Sequence, residues 1–360
     1  VDQLIEDGDN YYYVDVNGVM AANQWVAIDN EDAGQDDEPE HYWYYFQANG
    51  KALKQGDSST VALKTVNGRK YAFDDEGKML YGVVDGNNAE RIENTDGAAF
   101  KEATYYFGGE DDGAMTTGWL LADVTYDEAT NDDYKYTAAA FNDDEDQTRW
   151  FYFKSNGKMV KADNGERTKD KTINGKKYAF DEYGAMVAEW SLDEGDEKIA
   201  SKSEERAKAS VGAATTSNAW SGAGNYAKYT QAWRYFNSVE DGSRVSKGWF
   251  KVVAAEMLNK GKYDDDEDAW YYADGSGKLY AGEFKTIKGK KYAFRNDGRM
   301  ISGLKFIKVG NHDLVDVVAD DDDNHSFEDE DAFLAEAYTY FEGNGYKCYY
   351  FGNGEDGAMR

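Results

Sequence analysis

The sequence predicts an all-β protein, an elongated solenoid of stacked β-hairpins with short helices only in insertions. A short motif returns three times, at residues 67–74, 174–181 and 288–295. Aromatic residues make up 15% of the chain, which argues against disorder, and 37 glycines with one proline suit many tight turns. A repeat this short cannot bury a core alone, so neighbouring copies must stack.

Each copy reads as a hairpin. Tyr71 and Phe73 flank Ala72 with the period-two spacing of a strand, and the turn that ends at Gly77 offers a residue that tolerates positive φ. We expect Met79, after the turn, to open the returning strand. The rings expected in the core are Tyr71, Phe73, Tyr178, Phe180, Tyr292 and Phe294.

The hairpin copies are of three kinds that recur in a fixed order. The same step separates Trp43 from Trp150 and Tyr71 from Tyr178. The chain is therefore predicted to be one continuous repeat array over residues 1–360, with super-repeats at approximately 1–100, 101–225 and 226–340 and a partial fourth at 341–360. We expect it to be a piece cut from a longer protein.

Three segments between the repeats carry helical signals. Lys198 to Ala209, within a long insertion between Trp190 and Trp233, has a composition that favours helix. The segments 251–259 and 331–338 are each interpreted as a short helix or a continued strand.

Net charge and hydropathy argue against two classes of partner, and the cysteine count excludes one kind of covalent cross-link. The chain carries 70 acidic and 40 basic residues, a net charge of −30, so nucleic acid is a poor partner. No apolar run reaches the roughly 20 residues of a membrane-spanning helix, so no membrane insertion is expected. Cys348 is the only cysteine, which excludes an internal disulfide.

Acidic runs occur at 36–38, 143–146, 264–268 and 320–323. Clustered carboxylates are hard ligands that suit calcium, but runs of this kind are also typical of solvated insertions. Both interpretations stay open, and we predict no cofactor and no further metal site.

Several motifs resemble the cell-wall-binding repeats of Gram-positive surface proteins, which include choline-binding modules, glucan-binding repeats and the C-terminal repeats of clostridial toxins. They are Gly118-Trp119, Trp150-Phe151-Tyr152-Phe153 and Asn156-Gly157-Lys158-Met159 with their relatives. The resemblance implies a β-solenoid in which each hairpin is rotated by about a third of a turn on the last.

The resemblance also implies ligand sites lined by aromatic rings, which attract quaternary ammonium groups by cation–π interaction. The matching residues are Trp119, Trp249, Trp43, Trp150 and Trp270. We expect the pairs Trp119–Trp150 and Trp249–Trp270 to lie between consecutive hairpins. Packing within the hairpins is the alternative role for each of these rings.

No catalytic residue set is visible, since the three histidines, His41, His312 and His325, are scattered along the chain. The chain is therefore interpreted as a non-enzymatic, extracellular module on the bacterial cell surface. It would attach a larger protein to cell-wall polymer or another glycan. The alternative is a structural stalk without a ligand site.

Overall fold

The computed structural model describes residues 2–36, 38–92, 102–126, 145–163, 168–192, 225–310, 313–317, 330–341 and 345–360. The chain divides into two compact units. The first comprises Val1–Ala129, Phe141–Gly165 and Phe180–Met186, and the second comprises Thr130–Ala140, Glu166–Ala179 and Val187–Arg360.

The first unit is built from antiparallel hairpins whose partners are neighbours in sequence. The pairs are β1–β2, β3–β4, β5–β6, β7–β9 and β10–β11, and β8 pairs with the free edge of β7. The strands are β1 Gln3–Asp7, β2 Asn10–Val14, β3 Gln24–Asp29, β4 His41–Phe46, β5 Lys64–Val66, β6 Arg69–Tyr71, β7 Val83–Asp85, β8 Glu90–Arg91, β9 Tyr105–Tyr106, β10 Gly118–Tyr126 and β11 Glu145–Phe153.

The second unit continues the same pattern. The strands are β12 Thr168–Ile173, β13 Lys176–Asp181, β14 Glu189–Leu192, β15 Trp233–Phe236, β16 Gly248–Val253, β17 Asp268–Ala273, β18 Glu283–Ile287, β19 Lys290–Phe294, β20 Leu304–Gly310, β21 Asp313–Val317 and β22 Tyr346–Tyr350. The division between the units falls within β13. Strands β18 to β22 form one sheet in the order β19-β18-β21-β20-β22, and the other pairs are β12–β13, β14–β15 and β16–β17.

In the described part of the chain, helices lie in the segments between consecutive strands. They are α1 Asn225–Gln231, α2 Lys260–Asp265 and α3 Glu330–Phe341. The mostly β fold and the placement of helix in insertions are thus confirmed. Residues 331–338 are helical, whereas 251–259 continue β16 to Val253 and then turn, and the helix predicted over 198–209 lies outside the described residues.

The prediction of a returning strand after each turn is wrong in its extent. Met79 makes one isolated bridge, to Phe73, and the equivalent residues Met159, Met186 and Met300 do the same. After this bridge the chain continues into the next hairpin. In the main hairpins, the strand that runs into a turn pairs instead with the strand that comes before it in sequence. For example, Tyr152 in β11, which runs into the turn at Gly157, pairs with Trp119 in β10.

The turns before these bridges span five residues, and in two of them the carboxylate of the first residue fixes the backbone. In the turn at Asp74, the Oδ1 atom accepts the N–H groups of Glu76 and Lys78, each at 2.9 Å. Asp181 accepts from Tyr183 and Ala185 in the same way, also at 2.9 Å. Asx turns of this kind explain why aspartate and glycine recur together in the motif.

Two contacts recur between consecutive hairpins. After the turn, the N–H of Met159 donates to the carbonyl of Thr104 in the preceding hairpin, at 2.8 Å. A methionine side chain packs on the following turn: a β-carbon added at Gly157 would lie 2.3 Å from Met115 Sδ, and one at Gly113 would lie 2.2 Å from Met79 Sδ. At these positions the Gly-x-Met spacing lets a turn glycine receive one methionine while the methionine two residues later reaches the next turn. At Gly277 the contacting side chain is that of an arginine instead.

The predicted aromatic core is largely present. Tyr71, Phe73, Phe180 and Phe294 are buried. Tyr178 and Tyr292 are half-buried.

The methionine–glycine contact predicts a measurable difference between two alanine substitutions. Gly157 and Gly68 both have a φ of 82°, but an added β-carbon meets Met115 only at Gly157 and nothing within 4 Å at Gly68. We expect Gly68→Ala to lower the free energy of unfolding by about 1–2 kcal/mol through backbone strain. Gly157→Ala should lose about 1–3 kcal/mol more through overpacking. Equal losses in denaturant unfolding would contradict the contact.

The buried turn carboxylate of Asp181 predicts a pH effect. Burial raises its pKa to about 7, although N–H groups of Ala185 and Tyr183 and the charge of Arg149 act in the opposite direction. Because the folded state favours the protonated form, this group stabilises the fold most below about pH 4, and the contribution is lost as pH rises through about 7.

Asp181→Asn keeps the accepting oxygen but cannot ionise. The free energy of unfolding of this variant should therefore fall less steeply than that of wild type between about pH 5 and about pH 7.5. Asp274→Asn is the matched control. Burial opposes ionisation at Asp274 as well, but hydrogen bonds from Ser276 and Lys278 prevail and lower its pKa. The control should not flatten the profile, and parallel profiles for Asp181→Asn and wild type would refute the assignment.

Candidate functional site

Four aromatic clusters recur in the described part of the chain, each at a hairpin whose first strand carries a tryptophan. They are the first cluster (Trp25, Trp43, Tyr45, Tyr71, Phe73), the second (Trp119, Trp150, Tyr152, Phe180), the third (Trp190, Trp233, Tyr235, Phe250, Tyr271) and the fourth (Trp249, Trp270, Tyr272, Tyr292, Phe294).

Strand register brings the rings of one hairpin together. Trp119 lies directly opposite Tyr152 and one diagonal step from Trp150, on the same face of the hairpin. Trp249 has the same relation to Tyr272 and Trp270. The tryptophan–tyrosine centroid distance is 5.1 Å in both hairpins, and the two rings meet edge to face.

The next hairpin closes the inner side of each cluster. Trp25 lies 4.8 Å from Tyr71, Trp249 lies 4.9 Å from Tyr292 and Trp119 lies 5.8 Å from Phe180, between ring centroids. Each cluster is therefore composite. One hairpin supplies two tryptophans and a tyrosine, and the following hairpin supplies the ring behind them.

The third cluster is closed by insertions, whereas the others keep access to solvent. Trp190 and Trp233 are 3% and 1% exposed. Tyr229 of α1 packs edge to face on Trp233, and Trp190 Nε1 donates to the carbonyl of Val253 at 2.7 Å. In the first, second and fourth clusters both tryptophans are half-buried. The third cluster is thus packing, and the other three are candidate sites.

In the first cluster, a carboxylate from a later hairpin holds the tryptophan of the second strand. Asp111 Oδ1 accepts Trp43 Nε1 at 3.0 Å and lies 2.6 Å from His41 Nε2. The hydrogen bonds from Trp43 and His41 lower the pKa of Asp111. The carboxylate is therefore ionised at neutral pH and adds negative charge beside the ring.

In the fourth cluster, Glu355 has the same role. It accepts Trp270 Nε1 at 3.3 Å and pairs with Lys251 Nζ at 2.5 Å. The Lys251 and Trp270 hydrogen bonds lower the pKa of Glu355. The second partner of the carboxylate differs between the two clusters: His41 lies on the same strand as Trp43, whereas Lys251 lies on the strand that pairs with that of Trp270.

The structure places Trp43, Trp119, Trp150, Trp249 and Trp270 in the three open clusters. The expected position of the pairs is wrong, however. Trp119 and Trp150 lie 6.1 Å apart on the two strands of one hairpin, and so do Trp249 and Trp270 at 6.3 Å. The reason is that the Gly-Trp segment pairs with the strand that follows it rather than with the strand before it.

Sequence reasoning missed Trp25, which holds in the first cluster the position that Trp119 holds in the second. It follows Gln24 rather than glycine, so the Gly-Trp motif did not identify it. Asn23, which precedes Gln24, has a φ of 53°. Asparagine tolerates the left-handed region better than other non-glycine residues, and it was the available signal.

The acidic runs give little support to a metal centre. Within the described ranges, no group of three or more histidine, cysteine or acidic side chains is placed to hold a metal ion. Glu38 accepts Asn30 Nδ2 and the Tyr42 hydroxyl instead, each at 2.9 Å. Run 320–323 lies outside the described residues, as do residues 143 and 144. No helix in the described part of the chain is long and apolar enough to cross a membrane.

Comparison with known proteins gives matches of three kinds. Glucosyltransferase-S of Streptococcus mutans serotype c is 24% identical over 303 residues, which cover 79% of this chain but only 17% of that protein. The crystal structure of choline binding protein F from Streptococcus pneumoniae is 18% identical, covers 87% of this chain and 92% of that chain, and has a TM-score of 0.39. The choline-binding domain of CbpL from the same organism is 17% identical, covers 83% and 97%, and has a TM-score of 0.38.

A family model described as a putative cell wall binding repeat matches residues 2–20 and 146–159. The first segment contains β1 and β2, and the second contains all of β11 except Glu145, together with the turn at Gly157. The match confirms, at these two segments, the resemblance to cell-wall-binding repeats that the sequence motifs indicated.

Proposed function

We propose that this chain is a non-catalytic, extracellular binding module that holds a larger protein on cell-wall polymer or another glycan. The observation that carries the proposal is the contrast among the four clusters. Insertions fill the third, whereas the first, second and fourth leave both tryptophans partly open to solvent. Packing alone would favour closing all four, because an exposed indole gives up part of its burial energy.

The chemistry of the open clusters suits a sugar or a quaternary ammonium group. Indole and phenol faces pack against the C–H face of a sugar, and carboxylate oxygens accept its hydroxyl groups. Asp111 and Glu355 lie beside Trp43 and Trp270 for the second role. The same rings and charges would attract a cation by cation–π interaction.

The description of the matched repeats as cell-wall-binding supports a location at the bacterial cell surface. The bonds from each post-turn residue to the preceding hairpin support the predicted solenoid, in which repeated weak sites would gain affinity by avidity.

The protonation states of the cluster carboxylates argue against general-acid catalysis by these clusters. A general acid needs a pKa near neutral, but the pKa values of Asp111 and Glu355 are lowered. Asp181 has a raised pKa, but its oxygen is buried and engaged by the backbone of its own turn. No turnover of wall polymer or glucan is expected.

Tryptophan substitutions test the site. Wild type should bind purified cell wall or a soluble glycan with a Kd of roughly 10 μM to 1 mM per site, detected by tryptophan fluorescence. Trp270→Ala should weaken this binding by roughly tenfold, because one stacking face is lost. Tyr263→Ala, which removes an exposed ring on α2, is the control. If neither wall, glycan nor choline perturbs the fluorescence at about 10 mM, the stalk interpretation replaces binding.

Salt dependence separates the two ligand chemistries. A neutral glycan should bind with less than roughly twofold change between about 50 mM and about 500 mM NaCl, since no long-range charge term is involved. Titrations at both concentrations measure this. A fall in affinity of roughly fivefold or more would instead assign the clusters to a cationic, choline-bearing polymer.

A further inference from the structure

A groove of about 580 Å³ opens in the first unit, and the tryptophan clusters do not include it. It lies between the start of β4, the residues after the Asp74 turn and strand β8. Tyr42 lines the groove, and its neighbour Trp43 belongs to the first cluster. Successive side chains on a strand point to opposite faces, so the groove and the first cluster occupy opposite sides of β4.

Two cations hold the aromatic rings of the groove. Lys78 Nζ lies 4.4 Å from the centroid of the Tyr42 ring, and Arg91 Cζ lies 4.4 Å from that of Tyr81. The pairs come from different hairpins. A cation–π contact at such a partly exposed position is weak, but it favours one orientation of the ring and leaves the groove open.

The charges at the groove are nearly balanced and mostly engaged. Glu38 accepts hydrogen bonds from Asn30 and Tyr42, and Lys78 pairs with Glu76 at 3.1 Å. Burial and the hydrogen bond to Glu38 raise the pKa of Tyr42 to about 12, so its hydroxyl keeps its proton. An ionic ligand would find no large uncompensated charge here.

The polar groups do suit hydroxyl groups. Arg91 and Lys78 donate, carboxylates of Glu38 and Glu90 accept, and Met79 and Leu80 give the lining an apolar part. A sugar hydroxyl donates and accepts at once, and a sugar ring presents an apolar C–H face.

We propose that this groove is a second binding site, for about two or three units of a neutral oligosaccharide. Its volume falls within the ordinary range for small-ligand sites, roughly 300–1,000 Å³. The site does not depend on the tryptophan clusters, because its rings, cations and carboxylates are separate residues.

The methyl NMR signal of Met79 is the readout, since the chain has only 8 methionines and Met79 lines the groove. Met79 also packs in the core beside Trp43 and on the Gly113 turn, so the groove variants below are needed to assign a shift to the groove. The probes are isomaltotriose, maltotriose, cellotriose and tri-N-acetylchitotriose, with a glucuronate-containing trisaccharide for comparison. At least one neutral probe should shift the Met79 signal with a Kd of about 0.1–1 mM.

Two variants and one control assign the shift to the groove. Glu90→Trp fills it from an exposed position, and Arg91→Ala removes the cation over Tyr81; each should weaken the effect roughly fivefold or more. Lys260→Ala removes a comparable cation, 6.0 Å from the Tyr263 ring on α2, and should leave it unchanged.

Three results would overturn the proposal: no shift with any neutral probe at about 10 mM, a shift that survives both groove variants, or binding of the glucuronate probe alone. A failure of tryptophan fluorescence to respond would count against the proposed function of the clusters and would leave the Met79 result intact.

Discussion

The contact between a methionine and the turn glycine of the next hairpin is the constraint on which the rest of this structure depends. Met115 on Gly157 and Met159 on Gly184 leave no room for a β-carbon, and the backbone bond from Met159 to Thr104 sets the distance between the same hairpins. An isolated hairpin is marginal in water. The chain therefore gains stability from the junctions between hairpins, in several of which a backbone donor, a backbone acceptor, a turn glycine and a methionine side chain meet.

This stacking makes the aromatic clusters composite and decides which of them are open. A tryptophan in one hairpin meets a tyrosine or phenylalanine from the next, as Trp249 meets Tyr292. The hairpin alone would leave its rings on an uncovered face. Where an insertion returns over the cluster, as α1 does at Trp233, the rings become core. Insertions in this chain therefore select among repeated sites, and the same aromatic pattern gives packing in one place and a candidate ligand surface in another.

The acidic character of the chain has a more specific role than solubility. Asp111 and Glu355 each orient an indole, and Asp74, Asp181 and Asp274 shape turns. The turn carboxylates share one backbone geometry, but burial separates their protonation behaviour: the pKa of Asp181 is raised and that of Asp274 is lowered. A carboxylate at one repeat position can therefore be a pH-sensitive group in one hairpin and a fixed charge in another.

The sequence by itself determined the hairpin content, the aspartate and glycine turns, most of the core rings and the tryptophans of the clusters, because these follow from local periodicity and from residues that tolerate positive φ. The tertiary structure decided how the segments pair. A Gly-Trp segment could pair with the strand before it or with the strand after it, and the local pattern does not distinguish the two. In the fold it pairs with the strand after it, which places Trp119 and Trp150 in one hairpin. Stacking also placed Tyr71 against Trp25, buried Trp190 and Trp233, and assembled the groove from Tyr42, Lys78, Tyr81 and Arg91. These contacts join residues of different hairpins, and no local signal in the sequence encodes them.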